Sequence, residues 1–200
     1  MTCTSCNELG LTHVWHHFLA GERLRVRPAC PRDTDTIQAY FRGLSPASRR
    51  NRFSGALNEV SANELHDMTN SDRGGHPLLI VEHVSHGLCT MIGEARYATA
   101  PGELSCEFAV SVAEAWRRRT VGTLLIAIVA SRAKALGLRY LFGDVLRANK
   151  AMMALARKVG FRVTDPISDA SLVKITKDLS LLSAAQPQNE VTGRSGPIAA

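Results

Sequence analysis

Nothing in this chain is apolar for long enough to cross a bilayer: the longest such run, Val121 to Ala130, is about half of the roughly 20 residues a membrane helix needs. Aromatics are sparse at 6%, and lysine is scarce, with 5 against 19 arginines. The five cysteines (Cys3, Cys6, Cys30, Cys89, Cys106) are an odd number without the spacing of a disulfide scaffold. Residues 1–10 hold no Lys or Arg, and the apolar stretch that follows is broken by His13, His16 and His17. That pattern is unlike a secretory leader. Hydrophobic residues at 45% and charged ones at 21% exclude wholesale disorder and collagen-like structure. The expectation is a soluble, cytoplasmic protein of 200 residues, one domain with a little chain to spare.

The net charge of +6 is unevenly placed. Residues 1–20 carry −1 and residues 183–200 carry zero, so the centre holds +7. An arginine-rich centre fits an anionic partner, a phosphorylated cofactor or a nucleic acid, or is simply a solvated face.

Residues 1–20 show no clear period and read as an N-terminal extension. Cys3-x-x-Cys6 with His13, His16 and His17 offers zinc-ligand types, but the spacing is shorter than in small zinc modules, and no metal is expected. Glu22–Arg27 alternates as a half-exposed strand. Three short helices follow: one from near Asp33 with Ile37, Tyr40, Phe41 and Leu44 at helical spacing, one opened by Ser45-Pro46, and one by the capping box Ser61 to Glu64. Pro77–Val84, Leu88–Ala98 and Leu104–Val112 then read as an antiparallel meander joined at His86-Gly87 and Pro101-Gly102. Helical period returns at Val121, Leu124, Leu125, Ile128 and Val129, ending at Gly137. A strand over 138–146, a helix carrying Met152, Leu155, Ala156 and Val159, and strands at 161–163 and 171–176 complete residues 21–182. Residues 183–200, rich in Ala, Gln, Pro, Gly and Ser, read as a disordered tail.

Two segments carry chemistry. Trp116-Arg117-Arg118-Arg119-Thr120-Val121-Gly122-Thr123 runs from a strand into a buried helix. The free N–H groups and dipole of a helix start bind anions, and Gly122 lets backbone approach a phosphate. A basic solvent-facing helix start is the plainer reading of the same residues. In Cys106–Val112, alternation sets Glu107, Ala109 and Ser111 on one face, and a carboxylate followed by two small residues suggests a groove. Asn149 stands where a helix N-cap is expected.

Glu107-Phe-Ala-Val, Trp116-Arg-x-x-Thr-x-Gly-Thr and Asn149-x-x-Met-x-x-Leu-Ala-x-x-Val-Gly-Phe together resemble the GNAT superfamily of N-acetyltransferases over about 140 residues. Arg25-x-Arg27-Pro28-Ala29 and Leu44-Ser45-Pro46-x-Ser48-Arg49-Arg50-x-Arg52-Phe53 are similar to the acetyltransferase domain of bacterial protein-lysine acetyltransferases, including those that modify acyl-CoA synthetases. The resemblance implies an α/β (α+β) fold, a mixed and strongly twisted sheet of six to seven strands flanked by helices. It implies acetyl-CoA as co-substrate and acetyl transfer to a primary amine, a protein lysine or a small molecule. Pantetheine would pair with the backbone of Val110, Ser111 and Val112. The pyrophosphate would lie in the loop Arg118, Arg119, Thr120, Val121, Gly122 and Thr123, with Arg117 at the motif's Gln/Arg position and Asn149 as a further cofactor contact. Glu107 matches the general base, with Asp144 and then Glu94 as rivals.

Two departures stand out. Thr120 replaces the first glycine of the motif, where a Cβ either hinders the phosphate or brings a hydroxyl to it. Ala156 replaces a Tyr proposed to protonate the leaving thiolate. The proton then comes from another group or water, or the thiolate leaves unassisted, as a thiol pKa of about 8.5 allows. These departures keep open a non-catalytic acyl-CoA-binding regulatory module. The run Ser48–Arg52 raises nucleic-acid binding, but it lacks interleaved aromatics on which bases stack, which argues against it.

Overall fold

The computed structural model describes residues 14–53, 55, 59–70, 78–164 and 171–182. Cys3, Cys6, His13, the start of the 77–84 run and the tail 183–200 lie outside the described residues. One mixed sheet dominates, in the order β1-β2-β3-β4-β5-β6-β8-β7. Its strands are β1 (Trp15–Leu19), β2 (Glu22–Pro28), β3 (Leu79–Ser85), β4 (Leu88–Ala98), β5 (Ser105–Val112), β6 (Tyr140–Leu146), β7 (Arg162–Thr164) and β8 (Leu172–Asp178). Five α-helices accompany them among the described residues: α1 (Thr34–Gly43), α2 (Pro46–Phe53), α3 (Ala62–Thr69), α4 (Val121–Ala135) and α5 (Lys150–Lys158). Every strand pair is antiparallel except β5 with β6.

The mixed fold and the meander are as expected, but the sheet has eight strands rather than six or seven. The added strand is β1, within the stretch read as an extension. Its backbone is fixed by pairing with β2 across a two-residue turn in which Ala20 and Gly21 both have positive φ, 50° and 84°. Those angles suit the right-handed twist of a hairpin, yet Ala-Gly is a weak turn signal. His86-Gly87 makes the same kind of turn between β3 and β4.

Alternation along the strands feeds two cores, one on each face. Leu24, Val26, Leu79, Val81, Leu125, Val129 and Leu141 belong to the core under α4 and α5. Ile37, Phe41, Leu65, Leu78, Ile80 and Met91 belong to the core under α1–α3. The register of β3 on β4 slips at Val81/Glu82, so that Ile92 is an extra residue between Met91 and Gly93. This bulge re-phases β4: Met91 and, beyond the bulge, Glu94 and Arg96 all face the α1–α3 side.

Buried charge also ties α1 to the sheet. Arg27 forks onto Asp33 with two bonds of 2.7 Å and reaches Glu82 at 3.0 Å; Arg25 joins Glu82 at 2.7 Å. Burial raises the Asp33 carboxyl, but the hydrogen bonds and charge of Arg27 outweigh it and hold the group below the ordinary range.

Candidate active site

The site begins where the sheet opens. β5 and β6 pair only at Ser105–Tyr140, Cys106–Leu141 and Glu107–Phe142. β6 runs on to Leu146 along β8, while β5 runs on to Val112 along β4. Beyond Glu107 the two strands diverge, and the β6-facing backbone of Phe108–Val112 is left without a strand partner. Gly143 sits at the fork: a Cβ there would stand 3.1 Å from the Phe108 carbonyl oxygen, so a side chain would wedge the strands apart one step too early.

A cavity of about 920 Å³ fills the fork and extends to both sides of it, within the size range of small-molecule sites. At one end stands the start of α4. Its first intrahelical bond runs from Leu124 N to Thr120 O at 3.0 Å, which leaves the amides of Val121, Gly122 and Thr123 without intrahelical acceptors. Thr120 supplies no side-chain cap and lies in the left-handed region with φ of 70°; Arg118 has φ of 60°. The loop thus adopts a backbone shape that glycine takes without strain and threonine does not. Gly122 is needed for closeness as well: a Cβ would meet Leu155 Cδ2 at 3.0 Å.

The opposite end is built from side chains of α1, α2, β4 and β5. Glu94 is fully buried (0% exposed) and paired with Arg52: Nε to Oε1 at 2.7 Å and Nη2 to Oε2 at 3.0 Å. Ser111 Oγ donates to Glu94 Oε1 at 2.5 Å, so it accepts from Tyr40 OH, 3.0 Å away. Burial beside Glu94 pushes the Tyr40 phenol above its usual value, keeping it a donor. Glu107 is exposed at the cavity wall.

A third cluster joins the two ends. Glu114 accepts from Ser45 N at 3.1 Å and Ser48 Oγ at 2.5 Å; Arg117 donates to Ser48 Oγ at 2.6 Å and to the Val112 carbonyl at 3.2 Å. Burial acts to raise the Glu114 carboxyl, but the hydrogen bonds from Ser48 and Ser45 prevail and hold it at about 2.

Of the residues singled out in sequence, Glu107, Val110, Ser111, Val112, Arg117, Arg118, Thr120, Gly122, Thr123 and Asn149 line this one cavity. Two do not. Val121 is 1% exposed in the core, so only its main-chain N–H is available to a ligand. Arg119 lies over the Trp116 ring at 5.1 Å rather than in the cavity wall. Asn149 caps α5, its Oδ1 accepting from Met152 N at 3.1 Å. Asp144 also lines the cavity, opposite Lys174 in the β6–β8 register. Glu94, its carboxylate engaged by three donors and sealed from solvent, has no path to a substrate amine. Ala156 is fully buried. Tyr40, Glu114 and Arg96 escaped the sequence reading because they share no spacing; only β-alternation placing Ser111 beside Glu107 hinted at that wall. Among the described residues no group of three or more His, Cys, Asp or Glu side chains could hold a metal ion.

Comparisons with known proteins identify the family and the fold. A family model described as an acetyltransferase (GNAT) domain matches residues 23–162. An acetyltransferase of Pseudomonas aeruginosa is 27% identical over 141 residues, 70% of this chain and 76% of that protein. The crystal structure of the GNAT domain of S. lividans PAT superposes with a TM-score of 0.73 at 25% identity, covering 82% of this chain and 96% of that one. A Salmonella typhimurium structure described with its cofactor acetyl-CoA has a TM-score of 0.63 at 19% identity, covering 82% and 98%; at that distance it supports the fold alone. This chain belongs to the GNAT acetyltransferase family.

Proposed function

We propose that the chain moves the acetyl group of acetyl-CoA to a primary amine by direct attack, with Glu107 as general base. The observation that carries this reading is the fork between β5 and β6, whose cavity runs without interruption from the open amides of α4 to the Glu107 carboxylate. The Val121, Gly122 and Thr123 amides and Arg118 bind the pyrophosphate; the free edge of Val110–Val112 bonds the pantetheine amides and lays the thioester beside Glu107. An alkylammonium of pKa about 10.4 is almost wholly protonated near neutrality and cannot attack. Glu107 takes that proton, directly or through one water. The amine nitrogen then bonds the carbonyl carbon, the proton left on the now cationic nitrogen passes to water, the C–S bond breaks, and CoA leaves as thiolate. No hydroxyl from position 156 protonates it.

Likeness to the S. lividans PAT domain supports a protein lysine among the acceptors, and with it a cytoplasmic role. Asp144, across the fork, is the rival base. Glu107→Gln keeps the shape and removes the basicity: turnover falls about 10²-fold or more with acetyl-CoA affinity barely changed. Near-normal turnover there, with collapse in Asp144→Asn, gives the role to Asp144. A second reading, a non-catalytic acyl-CoA-binding module, is favoured by the strained Thr120 and by Ala156. Thermal stabilisation by acetyl-CoA without thiol release on any amine selects it.

A further inference from the structure

On the wall beside Glu107, Arg96 feels the Glu64 carboxylate but is in no ion pair among the described residues. Arg96 lines the cavity, and its Nε is sealed from solvent without a hydrogen-bond partner. A buried donor left unmade costs on the order of 1–3 kcal/mol. The other cation there, Arg52, is neutralised by Glu94. Glu64, the acid facing Arg96 from α3, is occupied at its own cap: its Oε2 accepts from Ser61 N at 3.1 Å and Ser61 Oγ at 2.7 Å. No ion pair closes on Arg96 among the described residues.

Register fixes how Arg96 and Glu107 stand. Arg96 faces Ala109 and Ala98 faces Glu107 across the β4–β5 ladder. The two side chains are therefore diagonal neighbours on one face, roughly 7–8 Å apart at their bases. The other two ladder positions of that square are Ala98 and Ala109, both small. Two charge-assisted hydrogen bonds of about 2.8 Å each, with the short span between the amine and carboxylate of one small molecule, bridge such a distance.

We infer that Arg96 is a specificity residue that takes the carboxylate of an acceptor whose amine lies at Glu107. The acceptor class is an amino-carboxylate, drawn from free amino acids or from short peptides with a free carboxyl end. This rests on the acetyl-transfer reading above and narrows it, favouring acceptors with a free carboxylate over an internal protein lysine. An internal protein lysine brings no carboxylate and leaves Arg96 unpaired.

The test measures thiol release from acetyl-CoA with matched acceptors: glycine, L-alanine and L-lysine against their carboxamides, and Gly-Lys as free acid against its amide. The intact chain prefers each favoured acid over its amide by about tenfold or more in kcat/KM. Arg96→Gln removes that preference, about 10- to 100-fold and mainly in KM, consistent with the loss of a charged hydrogen bond. The amides are unaffected, Arg96→Lys retains part of the preference, and stabilisation by acetyl-CoA is unchanged. The amino-acid and dipeptide arms tell the two sources apart. Equal use of acid and amide by the native chain, or the same preference in Arg96→Gln, overturns the inference. Acetylation of an internal protein lysine by the native chain as efficiently as the favoured acids also overturns it. Glu107→Gln lowers turnover of acid and amide alike while their ratio stands, so failure of the general-base reading is separately visible. If no amine releases thiol, calorimetric titration of the same amino acids into the CoA-saturated chain decides: binding lost in Arg96→Gln supports the role, and equal or no binding ends it.

Discussion

The two ends of the cavity are built on different principles. At the α4 end the ligand-facing groups are main-chain amides, posed by backbone angles and by the absence of a side chain at Gly122. At the α1–α2 end they are the side chains of Arg52, Arg96, Glu107 and Ser111, backed by Tyr40 and by the buried carboxylate of Glu94. A backbone site tolerates many side chains but few backbone shapes. A side-chain site depends on every partner being present, because a buried charge without its counter-ion is costly. The first is suited to a ligand shared across a family, the second to an acceptor peculiar to one protein.

Substitution can break this contrast. The largest effect is expected from Glu94→Ala or Arg52→Ala, each of which strands the other charge in the interior. Denaturant unfolding should show a loss of about 3–5 kcal/mol, and the double variant should be less damaged than the sum of the two. Simple additivity would mean that the pair is not acting as a unit.

At the other end, Arg118→Glu should weaken acetyl-CoA binding about tenfold. The loss should be greater at low ionic strength, since salt screens exposed charge. Arg119→Glu, whose native side chain packs on Trp116, should do less. Equal insensitivity to both, by calorimetry, would leave phosphate binding to the amides alone.

Thr120→Gly sharpens the backbone side of the comparison. A left-handed non-glycine residue costs roughly 1–2 kcal/mol, and the greater freedom of glycine in the unfolded chain offsets part of the relief. A net gain under about 1 kcal/mol is expected, with acetyl-CoA affinity level or higher. A sharp loss of affinity in a folded variant would make the Thr120 hydroxyl a ligand.

The smallest effect belongs to Glu114. Its carboxyl is depressed from 4.5 to about 2, so its contribution to stability is complete above the higher value and fades as pH falls towards the lower. Glu114→Gln should lower stability modestly near neutrality and lose this component of acid sensitivity, so that the two melting profiles converge as pH falls towards the lower value. An unchanged limb would show that the carboxylate does not hold α2.

The same contrast explains what could be read from sequence. The α4 end was legible because a helix start needs its residues consecutive, and the helix period from Val121 fixed where it began. The fold was legible for a similar reason: alternation in Leu88–Ala98 and the capping box at Ser61 are local signals. The wall at the other end was not. Glu94 and Ser111 meet only through the β4–β5 register, and Arg52 joins them from a helix whose run of arginines reads as a solvated face. The Ile92 bulge, which aims Glu94 and Arg96, left no mark that composition or period could show. β1 was missed because its order comes from β2, not from its own residues.

The Glu114 cluster has a consequence for the order of events. Ser45 and Ser48 open the helix that carries Arg52, and Arg117 opens the loop that leads to α4; one carboxylate and one hydroxyl hold both. If a ligand at the loop and one at the helix each order this tie, the second should bind more tightly once the first is in place, which calorimetry of each ligand with and without the other would measure. By linkage, whatever factor the first ligand lends the second is returned in full. A bisubstrate molecule spanning the cavity would engage both ends of this tie together, and the tie itself would set how far its affinity departs from the product of its halves.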